Sequence, residues 1–331
     1  MDNSNQPEEP AVKVFAYSVR SEEVPLFETY AKELGIDIET TNVPPTAATA
    51  EQARGADAIS IVTTPVDAQL VEKFHVLGIR YISTRTIGFE HIDMQAAQSI
   101  GIGVGNVSYS PYSVAEYTVM LMLMCLRKMK LITARSAVQD FSLAGTAGTE
   151  LHSKTVGVIG TGRLGRTVIC LLRGFGCTVL ANDIYPNAEI EKLADYVPLE
   201  ELLQRSDIIT LHVPATDDGT YLLGAEQFGR MKDGIVLINT ARGSLIDQTS
   251  LIEAIETGKI GAAALDVVQN EKGLYYNDCK TTPLTNRQML LLRSYPNVIL
   301  TPHMAFHTDQ AIEGMVRNSL QACKKALTST R

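Results

Sequence analysis

One ten-residue string limits what this chain can fold into more than any other. Val156–Gly165 reads V-G-V-I-G-T-G-R-L-G, an apolar β-type run leading directly into Gly160, Gly162 and Gly165, with a helical pattern opening behind them. In this G-x-G-x-x-G spacing, Gly160 permits a tight turn. Gly162, without a Cβ, lets backbone approach a pyrophosphate, and Gly165 lets the helix pack closely on the strand. The helix N-terminus offers unpaired N–H groups and a partial positive charge to phosphates. A second β-type run, Thr178–Asn182, follows and ends at Asp183, 18 residues past Gly165. An acid at that place meets the adenosine ribose hydroxyls. It would repel a 2′-phosphate, and the next residues, Ile184, Tyr185 and Pro186, include no arginine to hold one. The predicted coenzyme is therefore NAD rather than NADP.

The fingerprint begins near residue 156, so a separate unit must precede it. The chain has 331 residues, above the ~250–300 at which a single core stops growing. Val12–Tyr17, Ala58–Val62, Tyr81–Thr84 and Ile102–Val104 read as strands. Glu22–Leu34 reads as a helix with Ser21 as its N-cap. After the fingerprint come Ile208–Val213, Ile235–Asn239, Ala262–Val267 and Val298–Leu300, and the final helix is expected over Asp309–Leu327. Strand and helix in alternation predict parallel sheets covered on both faces, an α/β fold. Ser113–Ala137 holds no Pro or Gly and is apolar on most of its circumference, which predicts one long buried helix.

Composition excludes several function classes. A formal charge of -8 argues against a nucleic-acid backbone or an anionic membrane as partner. The five cysteines, Cys125, Cys170, Cys177, Cys279 and Cys323, show neither metal-type spacing nor an even count. No metal site or disulfide framework is expected, and the setting is a reducing one. Met1–Pro10 is polar and acidic, unlike a signal peptide, and reads as a disordered tail. The most apolar stretch, Tyr117–Leu126, is too short to span a bilayer, so the expected location is cytoplasmic.

A second constellation lies at the ends of later strands. Ligands bind beyond the carboxyl ends of strands in open α/β sheets. Arg242, in Asn239-Thr240-Ala241-Arg242-Gly243, follows one such strand and can grip a carboxylate with two parallel hydrogen bonds. Asp266 lies near the end of the next strand, Glu271 follows five residues later, and Thr301-Pro302-His303 closes the last. Imidazole is the natural acid–base group near neutral pH, and a carboxylate beside it would orient the ring and favour its charged form. Guanidinium, imidazole and carboxylate on one rim fit the reduction of a 2-oxo acid by NADH, which needs an anchor for the carboxylate and a proton for the carbonyl oxygen. His91 and His212 are weaker candidates, while His75, His152 and His307 read as surface or packing residues.

Over about residues 12–327 these motifs resemble the D-isomer-specific 2-hydroxyacid dehydrogenases. The shared strings are VGVIGTGRLG, Asp183, HVP at 212–214, NTARGSLID at 239–247, ALDV at 264–267 and TPH at 301–303. YISTRTIGFEHID (81–93), NVSYSP (106–111), LRGFGC (172–177) and YYNDC (275–279) resemble the D-lactate dehydrogenase branch, including the vancomycin-resistance type. The resemblance implies two doubly wound parallel-sheet, Rossmann-like domains with a cleft between them. A flavodoxin-like substrate domain would comprise residues 1–110 plus 304–331, and an NAD-binding domain residues 111–303. It implies that Arg242 grips the substrate carboxylate, His303 donates the proton and Glu271 supports His303. Arg163, Leu164, Val213, Pro214, Thr240, Ala241 and Asp266 would join Gly160, Gly162, Gly165 and Asp183 at the coenzyme. Ile87, Gly88, Tyr109 and Phe306 would line the substrate side. The family is typically a homodimer through the helix expected at 113–137.

The chain departs from the family at Tyr117, where many members carry His, and at Val62, where some carry an aromatic residue. Val62 leaves open a 2-oxo acid larger than pyruvate, such as 2-oxoisocaproate or phenylpyruvate. A non-catalytic NAD-binding module of the co-repressor type is the remaining alternative; it would carry extra recognition segments and a dispensable active site.

Overall fold

In the computed structural model, residues 11–216 and 219–328 are described. The tail expected at Met1–Pro10 lies outside them. The chain divides into two compact units, Met1–Ser110 with His307–Arg331, and Pro111–Phe306. The return to the first unit thus comes after Phe306, three residues later than the sequence suggests.

The first unit holds five parallel strands, β1 (Val12–Ala16), β2 (Ile36–Thr40), β3 (Ala58–Ile61), β4 (Tyr81–Thr84) and β5 (Gly103–Asn106), in the order β2-β1-β3-β4-β5. This is the flavodoxin-like order. Helices α1 (Val24–Leu34), α2 (Ala68–Val76), α3 (Met94–Ser99) and, from the far end of the chain, α11 (Asp309–Thr328) cover it. The strand β2 escapes the sequence patterns because it is an edge strand with one buried residue, Ile36. Ser21 does not cap α1. Glu23 occupies the N-cap without a side-chain cap bond. Its carboxylate instead accepts from the Arg20 N–H at 2.8 Å and lies 3.4 Å from the fully buried Arg85 guanidinium.

The second unit holds seven parallel strands: β6 (Thr155–Ile159), β7 (Thr178–Asn182), β8 (Asp195–Tyr196), β9 (Ile208–Leu211), β10 (Ile235–Asn239), β11 (Ile260–Leu265) and β12 (Val298–Leu300). Their order, β12-β11-β10-β9-β6-β7-β8, reverses between β6 and β9. That is the doubly wound Rossmann order, whose ligand crevice opens at the reversal. One face packs α4 (Tyr112–Leu126) and α6 (Arg163–Arg173) in a core with Val156, Val158 and Ile238. The other packs α7 (Leu199–Arg205), α8 (Ala225–Arg230), α9 (Gln248–Glu256) and α10 (Arg287–Ser294) against Leu237 and Leu265.

The long helix expected over 113–137 is two helices. α4 ends at Leu126, Lys128 turns left-handed with φ 52°, and α5 runs over Met129–Ala137. Nothing local in L-R-K-M-K announces a break. Tertiary bonds hold it: Lys128 Nζ donates to Gly145 O at 3.0 Å, and Lys130 Nζ donates to the carbonyls of Arg293, Tyr295 and Val298. The buried-helix expectation applies to α4, with Ala115, Thr118, Leu121 and Met122 inside, whereas α5 buries no residue. Among the described residues no helix is long and apolar enough to cross a membrane.

Candidate active site

The glycine turn stands at the strand reversal. Gly160 adopts φ +95°, and a Cβ there would lie 2.5 Å from the His212 carbonyl oxygen, so β6 and the end of β9 meet through this residue. A Cβ on Gly165 would lie 1.9 Å from the Gly160 oxygen, which is why α6 can start so near the turn. Gly162 is different. It caps α6 with ordinary negative φ, and a Cβ there would meet nothing within 4 Å. The fold therefore leaves open space at the place where a pyrophosphate would face the helix N-terminus.

Asp183 is tied to that same turn. Its Oδ2 accepts from the Thr161 N–H at 2.5 Å and the Thr161 hydroxyl at 3.0 Å, and its Oδ1 from the Tyr185 N–H at 2.9 Å. Burial alone would raise its pKa, but these donors outweigh burial and hold the carboxyl below the usual range. Tyr196 donates to the Thr161 hydroxyl at 2.7 Å and completes the brace. Thr161 and Tyr196 were not legible as site residues, because their role depends on β8 lying beside β7. Glycine cradle, helix N-terminus and ionised acid together fit a dinucleotide. Arg163 and Pro214 are exposed at its edge, with Leu164 and Val213 half-buried.

His212 presents a ring whose Nδ1 is buried without a partner and whose Nε2 lies 3.0 Å from the Thr210 hydroxyl. Part of the residue keeps some surface. Burial of the ring drives its pKa down to about 3, which makes it a neutral group.

The second constellation lies at the carboxyl ends of three neighbouring strands, with Asn239 in register with Leu265 and Leu265 with Leu300. His303 Nδ1 and Glu271 Oε1 are 2.6 Å apart, and Glu271 Oε2 accepts from the Val268 N–H at 3.0 Å. The carboxylate thus assigns the proton on Nδ1 and leaves Nε2 for a ligand. Arg242 enters from β10. Asn239 Nδ2 donates to the Arg242 carbonyl at 2.8 Å. The Arg242 Nη1 donates to the Ala241 carbonyl, also at 2.8 Å. A Cβ on Gly243 would fall 2.2 Å from the Val268 carbonyl carbon, so the arginine loop lies flush on the residue whose N–H holds Glu271. Arginine loop, glutamate and histidine therefore form one continuous rim of the second unit.

Asp266, expected at the coenzyme, sits beneath the histidine loop. It is fully buried, and both its oxygens are spent on the loop carrying His303. Oδ1 accepts from the Thr301 hydroxyl at 2.6 Å and the Met304 N–H at 2.9 Å, and Oδ2 from the Ala305 N–H at 3.0 Å. Tyr117 joins this group through Thr301, and burial raises its hydroxyl pKa. Thr240 and Ala241 are nearly buried, and the Thr240 hydroxyl lies 2.9 Å from that of Thr118 on α4.

In the first unit, two carbonyls of the loop after β4 accept bonds from nearby side chains. The Ile87 oxygen accepts from Asn106 Nδ2 and the Gly88 oxygen from the Thr86 hydroxyl, both at 2.5 Å. Ile87 is 51% exposed. Tyr109 packs against α11, where a Cβ on Gly314 would lie 3.2 Å from its own Cβ. Phe306, placed in the substrate domain from sequence, belongs to the second unit and meets the Tyr276 ring edge-on at 6.4 Å.

Comparison with known proteins identifies the family. Residues 119–305 match the model of the D-isomer specific 2-hydroxyacid dehydrogenase, NAD binding domain. A D-specific alpha-keto acid dehydrogenase of Enterococcus faecium is 42% identical over 94% of this chain and 96% of its own length. An aromatic 2-oxoacid reductase of Clostridium sporogenes is 40% identical over 93% of this chain and 94% of its own. The crystal structure of a D-lactate dehydrogenase from Treponema pallidum superposes with a TM-score of 0.88 at 34% identity, covering 96% of this chain and 97% of that one. With the family model over more than half of the chain and relatives at about 40% identity over almost all of it, the chain belongs to the NAD-dependent D-isomer-specific 2-hydroxyacid dehydrogenases.

Proposed function

We propose that the chain interconverts a small 2-oxo acid and its D-2-hydroxy acid, with pyruvate and D-lactate as the physiological pair. The observation that carries this reading is the 2.6 Å bond between His303 and Glu271 on the rim that also bears Arg242. Arg242 takes the substrate carboxylate in a two-point grip. His303 Nε2 gives its proton to the carbonyl oxygen, and Glu271 stabilises the imidazolium from the far side. In the reverse direction Nε2 removes the hydroxyl proton. NAD supplies the hydride chemistry when bound. Gly160, Gly162, Arg163, Leu164, Gly165, Asp183, Val213 and Pro214 would hold it, with Thr240 and Ala241 contributing from the end of β10. The substrate contacts assigned to Ile87, Gly88, Tyr109 and Phe306 belong to the same proposal. So does a homodimer formed through residues 113–137. It is supported by the apolar surface there at Met120, 40% exposed, and in the segment just after it at Val138, Phe141 and Leu143, which are 75–87% exposed. A solution mass of one chain would refute the dimer. The five unpaired cysteines support a reducing, cytoplasmic setting.

A larger substrate is the second reading. It is favoured by the similarity to an aromatic 2-oxoacid reductase and by the small, buried Val62 beyond β3. Steady-state rates with NADH against pyruvate, 2-oxoisocaproate and phenylpyruvate separate the two. We expect the highest kcat/KM for pyruvate; a higher value for phenylpyruvate overturns that assignment and leaves the chemistry intact. His303→Ala should abolish turnover of all three while NADH still binds.

A further inference from the structure

We propose that Tyr276 is a positioning residue that locks the backbone beneath the catalytic imidazole. This inference rests on the reading of His303 as the proton donor. His303 has φ +55°, a left-handed conformation that is uncommon outside glycine. Its N–H is fixed from the strand side, lying 2.8 Å from the Asp266 carbonyl and 3.0 Å from that of Thr301. Its own carbonyl is fixed from the opposite side by the Tyr276 hydroxyl, which donates to it at 2.9 Å. The Tyr276 ring lies 6.1 Å from the imidazole at 42°, and meets Phe306 edge-on.

The same short segment therefore fixes His303 twice. Glu271 holds the ring through Nδ1, and Tyr276, five residues on, holds the peptide that carries it. The two ends are coupled by a turn in which the Leu274 and Tyr275 N–H groups donate to the Glu271 carbonyl at 3.0 and 3.2 Å. Tyr276 is itself left-handed, with φ +67°. It is 48% exposed. A half-exposed hydroxyl bond adds little to the fold, because water replaces it when it is lost. What the bond does is aim Nε2. A proton transfer tolerates small misplacement badly, so loosening the histidine backbone should show in the chemical step.

The test is Tyr276→Phe, which keeps the ring and removes only the donor. We expect kcat to fall about tenfold. KM for the oxo acid and the NADH dissociation constant should stay within about twofold of the parent, and the melting midpoint should not move. With 4-deuterated NADH the isotope effect on kcat should rise, because hydride and proton transfer become more rate-limiting. Tyr276→Ala should lower kcat further by removing the ring as well. A Tyr276→Phe enzyme with parental kcat and isotope effect overturns the proposal. So does one whose rate loss tracks a loss of stability. His303→Ala, assayed alongside, separates the two levels. If it is inactive while Tyr276→Phe is unaltered, the positioning role alone fails. If it remains active, the proton-donor reading and this proposal fail together.

Discussion

One methyl group placed at either of two glycines separates what the fold requires from what the coenzyme requires. Gly162 has φ −61° and an unobstructed Cβ direction, so alanine fits without strain. The substitution restricts the unfolded chain by about 0.4–1 kcal/mol, which offsets the poorer fit of alanine than glycine at an N-cap, so the apoprotein should keep close to its parental stability. Gly165 is the opposite case. Its added Cβ would stand 1.9 Å from the Gly160 oxygen and 3.0 Å from the Gly160 carbonyl carbon. That turn cannot swing away freely, because the Gly160 N–H is bonded to the Asn182 carbonyl at 2.8 Å. Overpacking of this kind costs about 1–3 kcal/mol, and a backbone clash belongs at the upper end. Alanine recovers about 1 kcal/mol of helix propensity, leaving a net loss of about 2 kcal/mol. For a unit of this size that is about 4–8 °C in melting midpoint. The assay pairs denaturant or thermal unfolding without coenzyme with a fluorescence titration of NADH. Gly162→Ala should keep the midpoint yet weaken NADH at least tenfold, because its methyl enters the space left for the pyrophosphate. Gly165→Ala should lose stability first. A destabilised Gly162→Ala, or one binding NADH like the parent, would refute the reasoning.

Three further outcomes follow from the site. Arg242→Lys replaces a planar fork by a point charge, so KM for the oxo acid should rise by about tenfold or more with NADH affinity retained; parental kinetics would remove Arg242 from its role. Asp183→Ala should narrow the preference for NADH over NADPH, since the repelling carboxylate is gone; an unchanged ratio of kcat/KM values counts against it. The His212 ring is held neutral in the fold by burial, its pKa lowered from 6.5 to about 3. Below pH 6.5 the unfolded chain therefore binds a proton the native state refuses, and stability falls as pH drops from 6.5 toward 3. The full shift is worth roughly 5 kcal/mol, and residual exposure of the residue cuts this to about 2 kcal/mol by pH 4. Unfolding free energies of the parent and His212→Asn, measured between pH 7 and 4, should converge by that amount; parallel curves would contradict it.

Much of the site was legible because its residues sit at strand ends that local sequence announces. Val156–Gly165 encodes strand, turn and helix in adjacent residues, so local steric rules place Gly160, Gly162 and Gly165 unaided. The placement of Arg242, Glu271 and His303 on one edge was readable for the same reason: each comes after an apolar strand, and parallel strands direct such residues to one edge. The bonds of Asp266 were not legible, because its partners, Thr301, Met304 and Ala305, reach it only when β11 and β12 pair.

Sequence alone determined the alternation of strand and helix and the strand, glycine turn and helix that end at an acid-tipped second strand, since each depends on neighbouring residues and a repeating period. Tertiary structure decided the rest. The break at Lys128, the missing cap at Ser21, the bracing of Asp183 by Thr161 and Tyr196, and the left-handed turn at His303 all depend on groups distant along the chain. A hydrogen bond between remote residues leaves no periodicity in the sequence, and it exists only once the sheet order has brought its two ends together.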